Sequence, residues 1–215
     1  MAKGGSMKLT KYGHACFTVE KDGQLLVVDP GNMSGDFIAP PHVTGVVITH
    51  EHGDHFDLEQ LSAVADKNPD VVIIAHESVT SKIEALETKT VNIGDTLTIG
   101  MFELEFFGGL HAPIHRSFPV IANLGVMIND LLYYPGDSFT LPGKPVDTLA
   151  LPAGAPWLKI GDAMDFLEQI SPRFAFPTHD AVLSNEGKEI NDQMLSMIAE
   201  KNNIEYKRFD SPLAI

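Results

Sequence analysis

Apolar residues fall along this chain in two rhythms, short alternating or continuous runs and longer stretches repeating every three or four positions. Lys8 to Lys11, His14 to Glu20 and Gln24 to Val28 carry the strand pattern, with Asp22-Gly23 as a hairpin turn. Gly45 to Thr49 is a short apolar run of the kind found in a strand buried on both faces. After Asp57 the period changes. Leu58, Leu61, Val64 and Ala65 share one helical face, with Asp57 as N-cap and Gln60 three residues on. A strand over Val71 to Ala75 and a helix over Val79 to Leu86 complete the first half.

The second half repeats the style. Strands are expected at Thr96 to Ile99, Phe102 to Phe107, Val120 to Ile128, Leu131 to Tyr134, Thr148 to Leu151 and Arg173 to Phe176. A helix is expected near Ala163 to Ile170. A longer one runs from about Glu186 to Lys201 with Ile190, Met194, Met197 and Ile198 facing inward, before a last strand at Ile204 to Arg208. Two β-rich halves, each followed by helices, imply two sheets packed face to face with helices outside.

Composition narrows the function classes. A length of 215 residues with 44% hydrophobic content can bury a sizeable core. No repeat, low-complexity tract or Gly/Ser linker divides the chain, so one domain is expected over residues 7–215. Met1 to Ser6 (MAKGGS) reads as an added leader, with Met7 as the native start. No apolar run approaches the roughly 18 residues of a membrane span, and a signal-peptide pattern is missing. The single cysteine, Cys16, allows no internal disulfide, which fits a cytoplasmic location. A formal charge of −14 disfavours a nucleic-acid partner and leaves a small-molecule substrate as the expectation. A homo-oligomer is compatible with all of this.

The chemistry concentrates in His50-Glu51-His52-Gly53-Asp54-His55, directly after the apolar run. Residues two apart on an extended chain lie on the same side, so His50 and His52 can reach one ion together. Gly53 permits a sharp turn, after which Asp54 and His55 can face a second ion. Imidazole and carboxylate suit zinc, manganese or iron, and paired ions about 3.5–4 Å apart are a known catalytic arrangement. Asp137 and His179 each follow a strand at once, where a loop can aim the side chain. From His111-Ala-Pro-Ile-His115 either imidazole can reach a metal. His111 is preferred because it comes first after the strand, and His115 is then a pocket residue or an ordinary loop residue. Asp29 either orients a ligating imidazole or forms a strand-end turn with Pro30-Gly31. His14 is expected to pack or hydrogen-bond near the site, Cys16 to be a small buried hydrophobe, and Trp157, Arg116 and Lys159 to lie on loops near the mouth.

ThrHis-x-His-x-AspHis after an apolar strand resembles the signature of the metallo-β-lactamase superfamily. GlyHis14AlaCysPhe and ValValAsp29Pro look like the UlaG/YtkL branch, metal-dependent hydrolases related to ascorbate-6-phosphate lactonase. TyrProGlyAsp137Ser and ProThrHis179Asp follow in that superfamily's order, and the likeness covers residues 7–210. It implies an α/β (α+β) fold, the four-layer αββα sandwich, with the site at one edge. It also implies that His50, His52 and His111 hold one metal, that Asp54, His55 and His179 hold a second, and that Asp137 bridges them. Two divalent ions, zinc or manganese with iron as an alternative, would share a water and lower its pKa from about 15.7 toward about 7. The resulting hydroxide would attack an ester, lactone or phosphoester, with Asp54 accepting or relaying the proton. A nuclease, an iron redox enzyme and a non-catalytic metal binder are the alternatives on this scaffold. No G-x-S-x-G elbow offers a side-chain nucleophile instead.

Overall fold

The structure, a computed structural model, describes residues 6–215, so the leader reading falls almost wholly outside the described residues. Strands β1 (Lys8–Lys11), β2 (Phe17–Lys21), β3 (Gln24–Val28), β4 (Val43–Ile48), β5 (Val72–Ala75) and β6 (Thr88–Thr90) build a first sheet. Strands β7 (Thr96–Ile99), β8 (Phe102–Leu110), β9 (Ala122–Ile128), β10 (Leu132–Tyr134), β11 (Thr148–Pro152), β12 (Phe174–Thr178) and β13 (Glu205–Tyr206) build a second. The terminal β14 (Leu213–Ala214) returns to pair with β1. The orders are β14-β1-β2-β3-β4-β5-β6 and β13-β12-β11-β10-β9-β8-β7, each sheet mixing parallel and antiparallel pairs.

Alternation along the strands sorts the side chains into three cores. Leu26, Val28, Val47 and Ile74 of the first sheet meet Phe106, Val126, Tyr134 and Phe176 of the second. Their neighbours Val27, Val46, Ile48 and Ile73 point the other way, onto Leu61 and Val64 of α1 (Leu58–Lys67). On the far side Met127, Tyr133, Leu149 and Ala175 pack under α3 (Ile160–Ile170) and α4 (Asn185–Lys201). A four-layer αββα sandwich results, as the period-two pattern requires of strands with both faces covered. No helix of the described residues is long and apolar enough to cross a membrane.

Asp57 caps α1 as expected, its carboxylate accepting from the amides of Glu59 and Gln60. Asp22 and Gly23, at φ 49° and 77°, make the hairpin turn. Three expectations fail for tertiary reasons. The helix over Val79 to Leu86 is only one turn, α2 (Glu77–Thr80), because β6 pairs with β5 and draws the chain away, the Glu87 carbonyl accepting from the Ile73 amide. The strand beginning at His14 starts at Phe17, since Gly13 and His14 turn the chain. On α4 Ile198 packs against the core as expected, but the fully inward residues are Leu195 and Ala199, and Ile190, Met194 and Met197 are exposed. Polar contacts set that rotation: Asn191 donates to the Ala153 carbonyl, and Tyr206 and Arg208 both hold Asp192.

Candidate metal centre

The site lies where the loops after β4, β8, β10 and β12 meet. The segment after β4 folds as a hydrogen-bonded turn, the His55 and Phe56 amides donating to the His52 carbonyl. Gly53 takes no left-handed backbone in this turn; the close approach is made by Gly31, where a Cβ would sit 2.0 Å from the Asp54 carbonyl carbon. Gly136 serves likewise before Asp137, at φ 63°, where a Cβ would meet Asn123 Oδ1 at 2.3 Å and Thr49 Cβ at 2.9 Å. His14, Asp29 and His179 also stand at positive φ, a conformation costing non-glycine residues roughly 1–2 kcal/mol each. Such strain collects where side chains must be aimed.

Three groupings converge. The ring nitrogens of His50, His52 and His111 lie within 4.8 Å of one another, as do donor atoms of His14, Asp54, His55 and His179, and of His50, His55 and Asp137. Asp137 Oδ2 stands 3.2 Å from His111 Nε2 and 3.0 Å from His179 Nε2, while its Oδ1 is 3.2 Å from His55 Nε2. His115 is not among them; it is exposed and bound to Ser117. Of the pair, His111 is the imidazole brought to the cluster.

The hydrogen bonds behind each ring decide which nitrogen faces inward. His111 Nδ1–H donates to the Ala112 carbonyl at 2.5 Å, His179 Nδ1–H to the Gly154 carbonyl at 2.8 Å, and His55 Nδ1–H to Asp29 at 2.7 Å. In each neutral ring the Nε2 lone pair therefore points into the cluster. Thr49 gives its hydroxyl proton to Asp29 Oδ2 and its amide to Oδ1, leaving the hydroxyl oxygen to accept from His50 Nδ1. His50 Nε2 then confronts His52 Nδ1 at 3.1 Å. His14 differs: the Ala181 amide donates to its Nδ1, so its Nε2–H donates to Asp54 Oδ2 at 2.9 Å. Asp29, fully buried, orients imidazoles and does more than end a strand.

Charge completes the picture. No Lys or Arg among the described residues pairs with Asp54 or Asp137. Burial penalises ionised Asp137, yet His55 and His179 hold it well below the carboxylate range. Burial likewise opposes a charged His55, but Asp137 and Asp29 raise it well above an ordinary imidazole. His179, against the same burial, is raised to about 9 by Asp137 and Asp54. His50 moves the opposite way, lowered by burial and by His55. Buried His55 Nε2, His111 Nε2, His179 Nε2 and Asp137 Oδ1 lack any hydrogen-bond partner. Buried polar atoms left so cost about 1–3 kcal/mol each, more when charged. Divalent cations satisfy all of them at once, so the donor set fits metal.

Sequence reasoning passed over Thr49, Asn123 and Gly154, and placed Trp157 on a loop near the mouth without linking it to Asp137. Asn123 accepts from the Asp137 amide and donates to the Pro135 carbonyl, fixing the turn that presents Asp137. Trp157 Nε1–H donates to Asp137 Oδ2 at 2.8 Å. Only its place between Gly154 and α3, in a loop after a strand, hinted at this. Arg116 and Lys159 are exposed, and Cys16 is buried beneath the first sheet with its thiol pushed by burial to about 12.

Known proteins agree with this geometry. A sequence profile described as the Beta-lactamase superfamily domain matches residues 8–179, from β1 to the last histidine of the cluster. Protein Rv0786c of Mycobacterium tuberculosis is 34% identical over 189 residues, 86% of this chain and 89% of its own length. A UPF0173 metal-dependent hydrolase of Carboxydothermus hydrogenoformans is 29% identical over 80% of this chain and 84% of its own. The metallo-β-lactamase fold protein YhfI of Bacillus subtilis superposes with a TM-score of 0.71 at 15% identity, covering 98% of this chain and 100% of that one. With profile, relatives and layer architecture in agreement along most of its length, this chain belongs to the metallo-β-lactamase superfamily.

Proposed function

We propose that the chain is a metal-dependent hydrolase acting on a small ester, lactone or phosphoester, from the UlaG/YtkL branch related to ascorbate-6-phosphate lactonase. One observation carries the reading: buried ring nitrogens and a carboxylate oxygen without hydrogen-bond partners converge around Asp137, with no Lys or Arg among the described residues paired to it. Two divalent ions fit best. His50, His52 and His111 would hold one and Asp54, His55 and His179 the other, with Asp137 serving both. Nitrogen and oxygen donors without a thiolate favour zinc or manganese. Cations held there supply Lewis acidity and an activated water at neutral pH.

The chain's own residues do the rest. His50, His55, His111, Asp137 and His179 are buried, whereas His52 and Asp54 are half-buried, so substrate approaches from the side of those two. Asp54 is the more open carboxylate, 23% exposed at its side chain against 3% for Asp137, and is the residue placed to accept a proton. His14 holds its Oδ2, which leaves Oδ1 for that transfer. The metal-dependent hydrolase among the relatives supports the reaction class, and the net charge of −14 supports a small molecule over a nucleic acid. Metal analysis of the purified protein, with a screen of lactones and phosphodiesters, is the test. About two zinc or manganese ions per chain and turnover of one substrate class are expected, and Asp137→Ala should lose both. Full metal content and full activity in that variant would overturn the reading.

A further inference from the structure

Trp157 is the chain's single tryptophan, carried on the loop between β11 and α3. Its ring packs edge-on against Phe139 at 5.3 Å and stands 6.0 Å from His111 and 6.2 Å from His179. Its indole N–H ends 2.8 Å from Asp137 Oδ2. An ionised carboxylate is acceptor-only, and an indole is donor-only, so the direction of this bond is fixed.

The imidazoles around that carboxylate are the groups that cations would engage. His111 and His179 give their Nδ1 protons to backbone carbonyls and turn Nε2 toward Oδ2 at 3.2 and 3.0 Å, while His55 Nε2 stands 3.2 Å from Oδ1. Once those nitrogens bind cations they cannot donate, and the indole is then, among the described residues, the side-chain donor left to tell Asp137's two oxygens apart. The same loop supplies the Gly154 carbonyl that sets the His179 ring. Two side chains of the centre are thus aimed from one short connection.

We propose that Trp157 is a positioning residue for the metal centre: its indole N–H pins Asp137 Oδ2 between His111 and His179, so that the carboxylate is held in place for the cations those residues would bind. This rests on the metal-site reading above. Supporting side chains of this kind typically change metal affinity 10–100-fold when removed. Phenylalanine keeps the ring packing and deletes only the donor.

The test titrates Mn2+ or Zn2+ into metal-free wild-type protein and Trp157→Phe, reading affinity by calorimetry. In parallel, 15N-labelled wild-type protein gives a single indole N–H signal, which requires no variant to fold. Expected are a 10–100-fold weaker cation affinity in Trp157→Phe, and a slowly exchanging indole signal that shifts on cation binding and moves to the position of a solvated indole in Asp137→Ala. Equal affinity in wild type and variant, or an indole signal blind to both cation and Asp137→Ala, would overturn the positioning role while leaving the metal site standing. Wild-type protein that binds neither cation would sink both.

Discussion

The two halves of the centre are held in different protonation states. His50 and His52, grouped with His111, are both lowered, chiefly by burial, so their rings are neutral and their lone pairs stand ready. Grouped with Asp54, by contrast, His55 and His179 are raised by the carboxylates around them. Without a cation, protons occupy the second position. On the two-cation reading, a metal would find the first group's lone pairs ready and would have to displace protons from the second. Where negative charge is buried, something positive goes with it, and the neighbouring side chains decide whether that is a proton or an ion.

Changing Asp29 breaks this contrast most thoroughly, because that carboxylate serves both halves, through His55 directly and through Thr49 to His50. Asp29→Asn would offer His55 Nδ1 a donor where it needs an acceptor, turning the protonated nitrogen inward. Cation affinity should fall about 100-fold at both positions, read by calorimetry; a loss confined to one would show that the halves are oriented independently.

pH sharpens the contrast. His179 holds its proton below about 9 in the cation-free protein, and a cation must displace it. Affinity at the second position should therefore rise with pH, by up to about tenfold per unit per displaced proton, and level off above about 9. The first position should stay nearly flat across the same range. Two binding events with equal pH slopes would contradict the assignment.

His14→Ala tests the second half alone. It removes the Nε2–H donated to Asp54, and an affinity loss of about tenfold at that position is expected, with the first unaffected. Smallest of all is Lys82→Ala. The pair it makes with Glu51, beside the cluster in sequence, is exposed, so stability should change by less than about 1 kcal/mol and neither affinity should move.

Legibility in the sequence followed the range of the interactions. Strand β3, its hairpin and the capped start of α1 were readable because alternation, turn residues and caps are local. His50 to His55 stood out because four donors occupy six consecutive positions. The face of α4 was misjudged, since Asn191 and Asp192 are held by partners 38 and 14 residues away. β6 was missed for the same reason: a three-residue strand has no pattern of its own and exists through its pairing with β5.

By itself the sequence determined the layers, because apolar period fixes which faces must be covered, and it determined the donor types that make metal the fitting ligand. Only the tertiary structure decided that His111 and not His115 joins the cluster, that Asp29 and Thr49 set the inward nitrogens, and that Trp157 reaches Asp137. Those outcomes depend on where separate loops meet and on the direction of single N–H bonds. Neither quantity is written in any local stretch of chain.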